Sequence, residues 1–106
     1  MMNTVTTNTT NETPAITHKP IPEIFNKKGY TYRQVKREGN KAIYEQTRGS
    51  FVAYEVVKIG KHNGYSMGGA YIEPSETYPG SSLWGILGWT CTTLDDAQKR
   101  YDSIEV

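Results

Sequence analysis

Between Gly29 and Gly60 apolar and polar residues recur at strand spacing, in three runs. GYTYRQVKRE and NKAIYEQTR interleave β-branched and aromatic residues with charged ones, and Glu38-Gly39-Asn40 separates them. Glycine beside asparagine supplies the positive-φ chemistry of a tight reversal, so the two runs predict a hairpin. After Arg48-Gly49-Ser50 comes FVAYEVVKIG, the most strand-like stretch of the chain, with apolar residues on both parities. Burial on parts of both faces predicts a central strand and a three-stranded antiparallel meander. Asn63-Gly64 in KHNGYSMGG is a favoured turn pair and leads to a short strand over Ala70 to Glu73, a fourth member of the sheet.

EPSETYPGSS holds two prolines, a glycine and three serines, and reads as loop, with Ser81 or Ser82 capping a single helical turn before Trp84. ILGWTC is a further short β segment. Thr93 then fits a helix N-cap, with Asp95 and Asp96 on the first-turn amides. Leu94, Ala97, Tyr101 and Ile104 fall on one helical stripe, and Lys99 and Arg100 lie towards the end that favours cations. The fold class is therefore α+β: an antiparallel β-meander of four to five strands, one C-terminal helix packed on it, and a disordered N-terminal tail.

The tail is residues 1–23, rich in Thr and Asn, broken by Pro14, Pro20 and Pro22 and without apolar period; residues 24–106 form the single small domain. Asn8 and Asn11 stand in N-x-T sequons, read as incidental, and His18 and Lys19 have no assigned role. ITHKPIPEIF ends in apolar residues able to dock at a sheet edge.

In SSLWGILGWTC, Trp84 and Trp89 are five apart, so on a regular strand they point to opposite faces. Trp89 is expected to close the core under the helix, and Trp84 to cover the edge where the long loop returns. The glycines between them allow close backbone approach or positive φ.

Composition narrows the function classes. Twelve Lys and Arg against eleven Asp and Glu give a net charge of +1, which excludes a strongly basic nucleic-acid coat and an acidic DNA mimic. The single cysteine, Cys91, forms no internal disulfide and no zinc site. No apolar run approaches the roughly 18 residues of a membrane span, and the N-terminus lacks the order of a signal peptide, so the expected compartment is the cytoplasm. The histidines are His18 in the tail and His62 in a turn, Cys91 reads as a small hydrophobe, and GYSMGGAY lacks the lysine and spacing of a phosphate loop. No catalytic residue, metal ligand or cofactor is assigned, and the chain is read as not an enzyme. Between Lys27 and Lys41 six cations, Lys27, Lys28, Arg33, Lys36, Arg37 and Lys41, are interleaved with Tyr30 and Tyr32. On an unbroken strand Lys36 faces one way and Arg33 and Arg37 the other.

YEVVKI, then a turn-rich insertion with YP, then WG and GW, then TLDDAQKRYDSI resemble small proteins encoded by bacteriophages and related mobile elements, over residues 29–105. The resemblance implies a non-enzymatic accessory protein that binds a host or viral macromolecule in the bacterial cytoplasm, inhibition of a host defence system being one form. The binding residues then expected are Tyr65, Tyr71, Tyr78 and Trp84, a rim of exposed aromatics around the long loop. A second, partial likeness is to the WGR domain, a DNA-binding module. Trp84, Gly85 and Gly88 match its order, as do Ala97 and Tyr101 in the helix, while Ile86 stands where that family has arginine. That likeness implies nucleic-acid contacts by Lys28, Arg33, Arg37 and Trp84.

Overall fold

Strands joined by short links and one helix account for most of the described residues, and the computed structural model describes residues 15–105. The sequons at Asn8 and Asn11 lie outside the described residues. Strands β1 (Ile24–Lys27), β2 (Tyr30–Glu38), β3 (Lys41–Arg48) and β4 (Phe51–Lys58) run as an antiparallel meander, and β9 (Gly88–Cys91) pairs antiparallel with β4, giving the order β1-β2-β3-β4-β9. Lys28-Gly29, Gly39-Asn40 and Gly49-Ser50 make the meander's turns, and the first takes positive φ at both positions, 53° and 85°. Lys28 is the sole non-glycine residue with positive φ among the described residues.

The remaining strands depart from expectation. β6 (Tyr65–Met67) and β7 (Ala70–Ile72) pair only with each other, through a Gly68-Gly69 turn with φ of 58° and 82°. Ala70–Ile72 is therefore half of a separate hairpin and not a fourth strand of the main sheet. Asn63-Gly64, with positive φ at Gly64 alone, links β5 to β6, which do not pair with each other. The stretch read as loop also contains a strand, β8 (Ser75–Thr77), antiparallel to β5 (Gly60–His62).

The two sheet faces bury different things. Tyr32, Ala42, Tyr44, Val57 and Ile59 form the core of one face, joined by Ile21, Phe25, Tyr30, Tyr78 and Trp84. Ile43, Val56, Ala97 and Tyr101 form the core of the other, where α1 (Leu94–Ser103) lies, joined by Tyr54, Trp89, Cys91 and Ile104. The tryptophans do lie on opposite faces, but Trp84 precedes β9 and is carried there by the turn at Gly85 and not by strand alternation. Thr93 caps α1 as its sequence implies, its hydroxyl accepting from the Asp96 amide at 3.1 Å. Leu94, placed on the buried stripe, is instead exposed, because it is the first helical residue and lies beyond the sheet's reach. The Ser81–Leu83 turn forms as a single 3₁₀ turn, but its N-cap is Gly80 and no serine side chain caps it.

Residues 19–22, read as part of the tail, pair with the domain. Lys19 bridges to Ser75: its amide donates to the Pro74 carbonyl at 3.0 Å, and its carbonyl accepts from the Glu76 amide at 2.9 Å. The Ile21 amide donates to Glu76 Oε1 at 3.0 Å, and the Pro22 carbonyl accepts from the Tyr44 hydroxyl at 3.2 Å. Prolines at 20 and 22 have no amide proton, so only Lys19 and Ile21 need acceptors here, and both find one. The segment read as unstructured is a strap whose apolar residue, Ile21, completes the tyrosine-rich core.

Candidate functional site

Two surface features gather aromatic, apolar and charged side chains. The first is the β6–β7 hairpin. Every residue of β6 is exposed, and Tyr65, Met67 and Tyr71 show 46, 64 and 66 % of their surface to solvent. Tyr65 and Met67 share one face of the ribbon, by register with Ile72 and Ala70, and Tyr71 opposite Ser66 occupies the other. At its base the His62 ring meets Tyr65 edge-on, centroids 5.0 Å apart, and His62 Nδ1 accepts from the Gly64 amide at 3.1 Å.

The second is an open-sided cleft of about 420 Å³ on the tyrosine face, between the β1–β2 turn and the Pro79–Trp84 segment. Lys27, Lys28, Tyr30 and Tyr32 form one side; Pro79, Gly80, Ser81 and Trp84 form the other; Gln46 and Glu55 belong to its lining from β3 and β4. Glu55 is 7 % exposed, the one charged residue in the core among the described residues, and its Oε1 accepts from the Tyr78 hydroxyl at 2.7 Å. Burial raises the Glu55 carboxyl above the ordinary value, opposed by the Tyr78 hydrogen bond and by Lys27. The Tyr78 hydroxyl is pushed up strongly, first by burial and then by Glu55. Lys27 Nζ sits 4.9 Å from the Tyr78 ring centroid and 5.5 Å from that of Tyr32. Gln46 Nε2 donates to the Tyr32 hydroxyl at 3.0 Å, fixing that wall. Trp84 is fixed too, its Nε1 donating to Thr90 Oγ1 at 2.9 Å.

The expected site residues are divided between these places. Tyr65 and Tyr71 stand on the hairpin. Tyr78 is not a rim aromatic: it packs edge-on against Phe25, Tyr32 and Tyr44, because the YP segment folds back over the sheet. Trp84 is half-buried and lines the cleft.

The four expected nucleic-acid residues do not form one patch. Lys28 and Trp84 meet at the cleft. Arg37 is held on the same face by Glu76 through two hydrogen bonds, Nη1 to Oε1 at 2.8 Å and Nη2 to Oε2 at 2.6 Å. Arg33 faces the opposite side. A bulge between Gln34 and Lys36 puts Arg33 opposite Glu45 and Lys36 opposite Ile43, so these two cations share the helix face and Arg37 alone takes the other. The extra residue at Val35 reverses the alternation expected of an unbroken strand.

Lys27 and Tyr30 belong to the basic, aromatic stretch that the sequence offers, whereas sequence reasoning missed Gln46 and Glu55 as cleft residues and Met67 on the hairpin. Glu55 did leave a signal, a charge inside the apolar run of the central strand. Gln46 left none, since its place in the cleft depends on how the Pro79–Trp84 segment folds back, and Met67 left none, since its exposure depends on β6 pairing with β7 alone.

Other reactive groups have local partners. Burial and the neighbouring Asp96 raise the Cys91 thiol, with Arg100 opposing, so the reactive thiolate is disfavoured. His18 Nε2 lies 2.7 Å from Asn63 Oδ1. Among the described residues no group of three His, Cys, Asp or Glu side chains gathers as for a metal, and no helix is long and apolar enough to cross a membrane. No protein-family model matches the chain, and neither a curated protein nor a solved structure matches it significantly.

Proposed function

We propose that the chain is a non-enzymatic binding protein that engages a host or viral protein through the β6–β7 hairpin. The observation that carries this reading is the exposure of Tyr65, Met67 and Tyr71 on an arm that pairs with no other strand. Two-stranded hairpins gain little stability by themselves, and large apolar side chains held in solvent on one add none. Tyrosine and methionine are the side chains enriched where proteins meet. The Gly68-Gly69 tip and the uncharged β6 and β7 leave the arm without cations, which favours a protein partner over nucleic acid. Resemblance to small phage proteins supports work in the cytoplasm of a bacterial host, where occupying a surface of a defence protein is one outcome.

The test is capture from bacterial lysate on the immobilised full chain and on a Tyr65→Ser/Tyr71→Ser variant, with nuclease treatment in parallel. The expected result is a protein species retained by the wild type, resistant to nuclease and reduced at least about tenfold by the double variant. Equal retention by both, or loss on nuclease treatment, contradicts the reading.

A further inference from the structure

Lys28 and Trp84 were brought together by the fold, and what lies between them is a site with distinct chemistry. The cleft of about 420 Å³ falls within the range that small ligands occupy. Its two sides differ in character. At the β1–β2 turn Lys27 and Lys28 lie next to each other in sequence, and neither forms an ion pair among the described residues. Across from them stand Pro79 and Trp84, the indole held in orientation through its nitrogen, while half-buried Tyr30 supplies aromatic surface on the lysine side. Stacking surface beside a pair of ammonium groups suits a planar ring carrying an anion.

The lining adds a third element. Glu55 is more than nine-tenths buried, yet among the described residues only the Tyr78 hydroxyl donates to it, on Oε1. Its other oxygen is left without a protein hydrogen-bond donor, which is costly for a buried carboxyl unless something else supplies one. A ring N–H or amino group is such a donor. A cationic ligand is disfavoured, because two lysines against one carboxyl leave the lining net positive.

We propose that this cleft is a binding site for a free nucleoside monophosphate, with the phosphate on Lys27 and Lys28, the base against Trp84, and a base N–H donated to Glu55. The same chemistry is offered by one residue of a single-stranded nucleic acid. The free nucleotide is the occupant argued for, because few cations lie beyond the two lysines: Arg48 is stacked on the Tyr30 ring at the cleft margin, Arg37 is committed to Glu76, and Arg33 lies on the other face. The site is separate from the hairpin, and neither reading depends on the other.

The experiment is calorimetric titration of the full chain at low ionic strength with the adenine, guanine, cytosine and uracil nucleoside 5′-monophosphates, the matching nucleosides, inorganic phosphate, and a single-stranded tetranucleotide of the preferred base. At least one monophosphate is expected to bind saturably with a Kd below about 1 mM, and its nucleoside and inorganic phosphate each at least about tenfold more weakly. In Lys27→Ala/Lys28→Ala, the exposed last residue of β1 and the exposed turn residue after it, the nucleotide should fall to the level of its nucleoside. In Glu55→Gln, which keeps an acceptor for Tyr78, the order of preference among bases should change. The proposal is overturned if none of the four monophosphates binds, if inorganic phosphate binds as well as the nucleotide, if the double lysine variant binds unchanged, or if the tetranucleotide binds more than about tenfold tighter than its monomer.

Discussion

The ring of Trp84 occupies the space where a side chain at Gly88 would stand. A Cβ built on Gly88 meets Cζ3 at 2.5 Å, Cε3 at 2.7 Å and Cη2 at 2.8 Å, contacts that real carbon atoms do not make. The two residues are also joined through a β-bridge. Gly88 is therefore glycine because the indole needs its Cα surface, and the positive φ of 92° at Gly85 turns the chain so that Trp84 can fold back. Gly88→Ala is expected to destabilise by about 1–3 kcal/mol and to change tryptophan fluorescence, as read by denaturant unfolding. Wild-type stability and an unshifted emission spectrum would show that the ring has room to move.

Glu55 and Tyr78 set the second expectation. Because burial raises the Glu55 carboxyl, the native state binds more protons than the unfolded state between the ordinary value of 4.5 and the raised one, and this group's contribution to stability falls as pH rises through that window. Glu55→Gln keeps an acceptor for the Tyr78 hydroxyl and removes the buried charge. It is expected to stabilise by about 1 kcal/mol at neutral pH, the gain vanishing below the ordinary carboxyl range. Unfolding midpoints across pH read this directly.

Glu76 has the opposite sign. Hydrogen bonds from Arg37, and then the Ile21 amide, hold its carboxyl below the ordinary 4.5. Its contribution is present above the unfolded value and is lost as pH falls through the depressed one. Glu76→Gln is expected to cost about 1–2 kcal/mol at neutral pH and to flatten the acid limb of the stability profile. Since Glu76 also anchors the strap, residues 18–23 should become cleavable by protease in Arg37→Ala before the rest of the domain.

Tyr101 ties the helix to the β2–β3 hairpin. Its hydroxyl donates to Glu38 Oε1 at 2.9 Å, its carbonyl accepts from Lys41 Nζ at 3.1 Å, and the same ammonium lies 4.4 Å from its ring centroid. Burial, then the hydrogen bond to Glu38, pushes the phenol up to about 12. Tyr101→Phe keeps the ring and its cation contacts and should cost about 1 kcal/mol; Tyr101→Ala opens a cavity in a fully buried position and should cost about 3–5 kcal/mol. Thermal unfolding separates the two.

The parts of this fold that follow from period and turn chemistry were legible in the sequence: the meander from Tyr30 to Lys58, the strand at Trp89, the Thr93 cap, and the Ala97 and Tyr101 contacts. What was not legible depends on partners distant in sequence. Ser75–Thr77 pairs with Gly60–His62, and Lys19 joins at Ser75, through backbone groups that any composition can offer. The bulge at Val35 has no local signature either, and it alone decides which of Arg33, Lys36 and Arg37 share a face. For the candidate sites, Tyr65 and Tyr71 were legible as aromatics near turns, whereas Tyr78 was misplaced because its burial comes from a loop folding over a sheet some twenty residues away in sequence, at Glu55.

The central claim, recognition of a protein through the β6–β7 arm, is tested most directly by replacing Tyr71 with a photo-crosslinking amino acid and, in a parallel chain, replacing Arg33 on the helix face of the five-stranded sheet. Irradiation in bacterial lysate is expected to give one discrete protein adduct from position 71, competed away by unlabelled wild type, and none from position 33. The same adducts from both positions, or none from position 71, would contradict it.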